Sequence, residues 1–157
     1  MKKALAFILL IVLCFSMAAC SGDKYTQIGT SEFSIILPEG YAETEDDFEE
    51  DQIAYYFKDS ESIDFDVYQW DKEGKYTLKE EAEYFASEYN ATAKEIEING
   101  ISGMEYVSKE SFDGNEYTVV NYMFEDEKSI IELCFWTVDT EDEYKAVEQI
   151  INTIKKN

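Results

Sequence analysis

The chain has 157 residues, with 13 lysines and no arginine against 35 Asp or Glu, for a formal charge of −22. Nucleic acid and anionic lipid headgroups carry the same sign and are held by clustered cations, so this balance excludes both as natural partners. No histidine is present, which removes Ser-His and Cys-His nucleophiles and His-ligated zinc, while one proline and 15% aromatic residues mark a folded module.

At the N-terminus, Lys2 and Lys3 precede an uncharged apolar run over residues 4–15, followed by Ala18-Ala19-Cys20. This is the charged region, short apolar region and small-residue site of a signal peptide. The apolar stretch ends at Ala19 and is shorter than the 18 or more residues expected of a membrane-spanning helix. The small-small-Cys ending resembles the bacterial lipobox, with Met17 where the family usually has Leu. The resemblance implies that residues 1–19 are a lipoprotein signal peptide cleaved between Ala19 and Cys20. Cys20 then carries acyl chains such as palmitate and anchors the protein to the bacterial cell membrane, outside the cytoplasm. Two chains hold where one gives only reversible binding. A plain secretory signal cut after Ala19 is the rival, and Met17 fits its A-x-A pattern poorly. The mature charge is 11 minus 35, or −24, because two lysines leave with the signal. Such a charge keeps a tethered protein soluble and favours a cationic ligand, a divalent metal or a basic protein.

Residues 20–32 read as a lipid-anchored tether, with room for a short strand at 25–28. A strand over 33–37 is stopped by Pro38-Glu39-Gly40. Seven carboxylates follow within nine residues, from Glu43 to Asp51. A run of this kind repels itself into a solvated loop. Glu45, Asp46, Asp47, Glu49, Glu50 and Asp51 are also candidate oxygen ligands for calcium, although the spacing of an EF-hand is missing. Strands over 53–58 and 63–70 are joined by a polar turn. In the second, Ile63, Phe65 and Val67 alternate with Asp64, Asp66 and Tyr68. Tyr68 and Trp70 share the wetter face and form a candidate aromatic contact surface, unless a helix or loop covers them.

Thr77 and Glu80 have the spacing of a capping box, and a helix is expected to about Tyr89 with Leu78, Ala82, Phe85 and Tyr89 as its buried stripe. Strands over 95–98, 103–109, 116–124 and 129–138 then form a meander, with Asn99-Gly100 and Asp113-Gly114 at two of its turns. The last strand is apolar on both faces and belongs mid-sheet, although Glu132 interrupts one face and must be near an edge or paired. Cys134 lies in that strand as the one cysteine left after Cys14 departs and Cys20 is acylated, so no internal disulfide forms and the thiol is expected to be buried and inert. A second capping box, Thr140 with Glu143, opens a helix to about Ile154 with stripe residues Tyr144, Val147, Ile151 and Ile154 and with Lys155-Lys156 at its end.

Residues 33–157 therefore read as a single α+β domain. The order of parts resembles the PsbP-like group, which includes small bacterial lipoproteins akin to DcrB. The likeness is carried by Phe33-Ser34-Ile35-Ile36-Leu37-Pro38-Glu39-Gly40-Tyr41, the middle helix, the Asn99-Gly100-Ile101-Ser102-Gly103 hairpin, two long strands and the final amphipathic helix. It implies an antiparallel β-sheet flanked by helices on both faces, an α/β/α sandwich. For function it implies binding or assembly work, without a shared ligand set. The expectation is an exported, membrane-anchored lipoprotein serving as a non-catalytic binding or assembly module at the cell envelope, with a protein partner there and no cofactor. Divalent-cation binding by the acidic loop is the alternative. A hydrolase working through two carboxylates is a third reading, for which no pair is singled out by a motif.

Overall fold

Ile131, Leu133 and Phe135 alternate with Ile130, Glu132 and Cys134 along one strand, and this double-sided apolarity places the strand in the middle of the fold. In the computed structural model, which describes residues 24–43, 51–58, 63–72 and 74–157, that strand is β9 (Ser129–Phe135) and every one of its residues is buried. It lies between β5 (Phe65–Asp71) and β8 (Asn115–Glu125). β8 continues to β7 (Ile101–Phe112) and β6 (Lys94–Ile98), and β5 to β4 (Gln52–Phe57) and β3 (Ala42–Glu43). Among the described residues this gives a seven-stranded sheet in the order β3-β4-β5-β9-β8-β7-β6, with neighbours antiparallel throughout. The expected meander is its second half.

Its two hairpin turns follow from their residues. Asn99 and Gly100 have φ of 54° and 77°, and Asp113 and Gly114 of 49° and 79°. Two successive positive values define the turn whose twist matches paired strands, and Asn-Gly and Asp-Gly tolerate it best.

The sheet is covered on both faces. On one lies α2 (Glu141–Ile151), whose Val147, Ile150 and Ile151 join Phe65, Val67, Leu133 and Phe135 in the main core. Aromatic rings link its layers, with Phe65 and Phe135 stacked at 4.8 Å and Phe33 against Phe124 at 5.9 Å. Each such buried side chain contributes about 1.5–3 kcal/mol. On the other face lies α1 (Leu78–Glu88), whose Leu78, Ala82 and Ala86 pack with Met104, Tyr106, Met123 and Ile130. Both capping boxes form. Thr77 Oγ1 accepts from the Glu80 amide while Glu80 Oε2 accepts from the Thr77 amide, and Thr140 and Glu143 repeat the exchange. Among the described residues, no helix is long and apolar enough to cross a membrane.

Some details differ from expectation. Residues at the end of the expected tether belong to the fold: β1 (Tyr25–Gln27) pairs with β2 (Phe33–Ile36), Ile28 is buried, and the Ser31 hydroxyl donates to its carbonyl at 2.6 Å. The folded unit thus already includes Tyr25, ahead of Phe33. The last helix stops at Ile151, and Lys155–Lys156 form β10 on the other edge of β2, completing a three-stranded sheet. Asn99 enforces that stop, because its side-chain amide donates to the carbonyls of Asn152 and Ile154. The buried stripe of α1 is Leu78, Ala82 and Ala86, with Tyr89 exposed at its end. At four-residue spacing these three share one face of the helix.

Candidate functional site

An eleven-residue helix is about 16 Å long and cannot cover a seven-stranded sheet. α1 lies over β7 and β8 and shields Met104, Met123 and Ile130. Among the described residues the sheet face beside it is uncovered, and between the helix and strands β4 and β5 runs a groove of about 1160 Å³.

Strand alternation decides what the groove floor presents. Asp66, Cys134, Asn121 and Tyr106 face one another across four adjacent strands, as do Tyr68, Glu132, Met123 and Met104 in the next row. Polar groups at such depth are expected to be hydrogen-bonded, and these are. The Tyr106 hydroxyl donates to Glu132 Oε1 at 2.6 Å. Gln52 Nε2 and Trp136 Nε1 donate to the two oxygens of Asp66, at 2.6 and 2.5 Å. Asn121 donates to the Ser108 hydroxyl, which donates to Glu110 Oε1 at 2.8 Å. Aromatic walls rise above this floor: Phe85 meets Trp70 edge-on at 5.6 Å, and Tyr76, Tyr89 and Trp136 line the opening.

The electrostatics are one-sided. Glu132 is 7% exposed, and burial pushes its carboxyl up to about 7, with Glu110 adding to the shift and the Tyr106 hydrogen bond opposing it. Burial also raises Glu110. The Tyr106 phenol and the Cys134 thiol are pushed up by burial and then by Glu132. Cys134 is therefore a protonated, buried thiol with no nucleophilic character. Glu132 is paired at the centre of the sheet, which resolves the choice left by the sequence between an edge position and a partner.

The structure brings some of the sequence candidates here and leaves others apart. Tyr68 and Trp70 both line the groove, with the helix edge over Trp70. Asp51 sits at the rim, with a φ of 67° and its carbonyl accepting from the Gln69 amide at 2.9 Å. Glu45, Asp46, Asp47, Glu49 and Glu50, like Ala19 and Cys20, lie outside the described residues. Among the described residues, no group of three or more acidic or cysteine side chains is arranged to hold a metal ion. Tyr106, Asn121 and Trp136 were not singled out by the sequence reading. The one signal available was Glu132, an acid in an otherwise apolar strand.

No protein-family model matches the chain, and no characterised protein matches it by sequence. Solved structures do. The cyanobacterial PsbP (CyanoP) of Synechocystis sp. PCC 6803, determined in solution, superposes with a TM-score of 0.63 at 10% identity, over 88% of this chain and 96% of that one. A crystal structure of a Bacteroides thetaiotaomicron protein superposes with a TM-score of 0.61 at 16% identity over 87% of this chain. The match covers 49% of that protein, so the chain spans about half its length. At such identities the likeness is one of fold, and the fold is PsbP-like.

Proposed function

We propose that this chain is a non-catalytic binding or assembly module, exported and held at a bacterial cell membrane by lipid on Cys20, with the groove as its contact surface. The observation that carries this reading is the groove itself, a half-open sheet face with hydrogen-bonded polar groups on its floor and aromatic rings at its walls. At about 1160 Å³ it exceeds the ~300–1,000 Å³ of small-molecule pockets. It also merges with exposed rings at its rim, Tyr76 being 60% exposed, as expected of a surface that meets a partner. The lack of histidine and the buried, protonated Cys134 speak for binding over catalysis. Because Tyr25 already belongs to the fold, the five Cα steps back to a lipidated Cys20 reach at most about 18 Å. The domain would sit close to the membrane, where like charges keep anionic headgroups from occupying it.

Two experiments test this. Cells fed labelled palmitate should label the wild type and not Cys20→Ser, and the variant should leave the membrane fraction. A photo-crosslinking residue at Tyr76, on the groove rim, should trap a partner that the same residue at Lys145, on exposed α2, does not. Equal adducts from both positions would refute the groove as contact surface.

A hydrolase is the second reading, and one observation favours it. Asp66 and Glu132 are diagonal neighbours on adjacent strands, a placement that brings carboxyl groups within the ~5–9.5 Å used in glycoside hydrolysis. Against it, both oxygens of Asp66 are taken by Gln52 and Trp136. The test is hydrolysis of chromogenic glycosides by the wild type and by Asp66→Asn. Turnover lost in the variant would promote this reading.

A further inference from the structure

Six asparagines occur in the chain, and Asn99 alone is followed by glycine. That pair matters for chemistry as well as for the turn. Glycine puts no side chain beside its own amide nitrogen, which is then free to approach the carbonyl carbon of the preceding asparagine side chain. Asn99 and Gly100 are both exposed, and a Cβ added at Gly100 would meet nothing within 4 Å. Packing does not shield this peptide; the bonding of the Asn99 side chain restrains it instead. Asn99 Nδ2 donates to the carbonyl oxygens of Asn152 at 2.8 Å and Ile154 at 2.9 Å, which draws the amide toward the end of α2 and uses its donor capacity in full. Asn152 caps that helix, where carbonyls lack partners within the helix, and no basic residue stands in its last turn. The segment so held closes the three-stranded sheet. The Thr153 hydroxyl accepts from the Ile36 amide at 2.8 Å, β10 pairs with β2, and the Asn157 amide donates to the Glu32 carbonyl at 2.7 Å. Asn99 is thus a latch between the β6–β7 hairpin and the strand that completes the second sheet.

We propose that Asn99 is a site of spontaneous deamidation, gated by this latch and destroying it. In the first step the Gly100 nitrogen attacks Asn99 Cγ. The new N–C bond closes a succinimide ring, the Cγ–Nδ2 bond breaks, and ammonia leaves with the proton that the Gly100 amide gives up. Water then opens the ring at either carbonyl, giving aspartate or isoaspartate, and nothing is oxidised or reduced. Attack requires the side chain to let go of both carbonyls, so the folded chain reacts only during the fraction of time that the latch is open. The product does not close it again. A carboxylate accepts hydrogen bonds and donates none, and it would face two carbonyl oxygens at the negative end of the α2 dipole. Deamidation therefore converts a passing opening into a lasting one and loosens residues 152–157 from the hairpin.

The test uses the chain from Ser21, which carries every described element. It is aged in mildly alkaline buffer, folded and in parallel unfolded in guanidinium chloride, and its products are mapped by peptide mass spectrometry with detection of isoaspartate. The unfolded chain should deamidate at Asn99 ahead of the other asparagines. The folded chain should react at the same residue about tenfold or more slowly, the two hydrogen bonds setting the ratio. Deamidated chain, separated from the fresh protein by its added negative charge, should melt about 4 °C or more below it. It should also exchange the amides of residues 152–157 faster. Asn99→Asp, made directly, should reproduce both losses, and should that variant fold poorly, the chain deamidated after folding supplies the same comparison. Equal rates in the folded and unfolded chains would show that the latch does not guard the amide. A deamidated chain that melts and exchanges like the fresh one would show that the latch survives the carboxylate. Either result overturns the proposal, as does an unfolded chain that reacts at other asparagines and spares Asn99.

Discussion

Replacing Glu132 with Gln should make this protein more stable at neutral and alkaline pH and leave it unchanged in acid. In the folded chain the Glu132 carboxyl sits at about 7, against an ordinary value of 4.5, chiefly because burial disfavours its charge. Between those two values the folded state binds more protons than the unfolded one, so stability falls as pH rises. The stability linked to this group is complete below about pH 4.5 and is lost as pH climbs through about 7. At ~1.4 kcal/mol per pKa unit, the full loss is about 3 kcal/mol. Gln has no charge to bury and still offers Tyr106 an acceptor, so the penalty disappears with the mutation. Urea unfolding followed by tryptophan fluorescence at several pH values would give matching stabilities near pH 4 and a variant more stable by about 3 kcal/mol near pH 8. In a domain of this size that amounts to roughly 10 °C in Tm. A small residual slope should remain, because Glu110 is raised in the same direction. A variant with the slope of the wild type, or one less stable at pH 8, would refute the claim that Glu132 is the buried group that titrates.

The other predictions concern the frame around it. Tyr106→Phe removes the hydrogen bond that holds the Glu132 carboxyl down; its titration, followed by carboxyl NMR, should move to higher pH at a cost of about 1–3 kcal/mol. Gly103→Ala would place a methyl group 2.6 Å from the Phe124 ring and 2.8 Å from the Met123 carbonyl oxygen, and since backbone cannot yield, a thermal melt should show a loss of about 1–3 kcal/mol. Asn99→Gly keeps the positive-φ turn and deletes two hydrogen bonds to the C-terminal segment, so about 1–2 kcal/mol should be lost with the hairpin amide signals retained. Millimolar calcium should shift Tm no further than sodium chloride of equal ionic strength; a calcium-specific rise abolished by neutralising Asp46, Asp47 and Glu50 would instead give the acidic loop a cation site.

Much of the fold was written locally. Thr77 with Glu80 and Thr140 with Glu143 mark helix starts because a hydroxyl and a carboxylate three residues apart satisfy two free amides within a single turn. Asn99-Gly100 and Asp113-Gly114 mark hairpins because few other pairs accept two positive φ values. The alternation of residues 130–135 placed β9 at the centre because both of its faces needed cover. Each of these signals acts over a few residues, and each reappears in the structure where the sequence put it.

The groove was of another kind. Asp66, Cys134, Asn121 and Tyr106 form one row although about 70 residues separate the first from the second. Only the register of strands that pair across long loops sets them side by side. Glu132 stood out in the sequence as a polar intrusion, but its partner is 26 residues away on a strand two removed in the sheet. Likewise β1 and β10 gain their structure from the edges of β2, which no local pattern at Lys155 and Lys156 announces. By itself the sequence determined most of the elements, their order, the two hairpin turns and the acidity of the whole. The tertiary structure decided which acids meet, because a short helix covers only part of a wide sheet and what it leaves open is set by register.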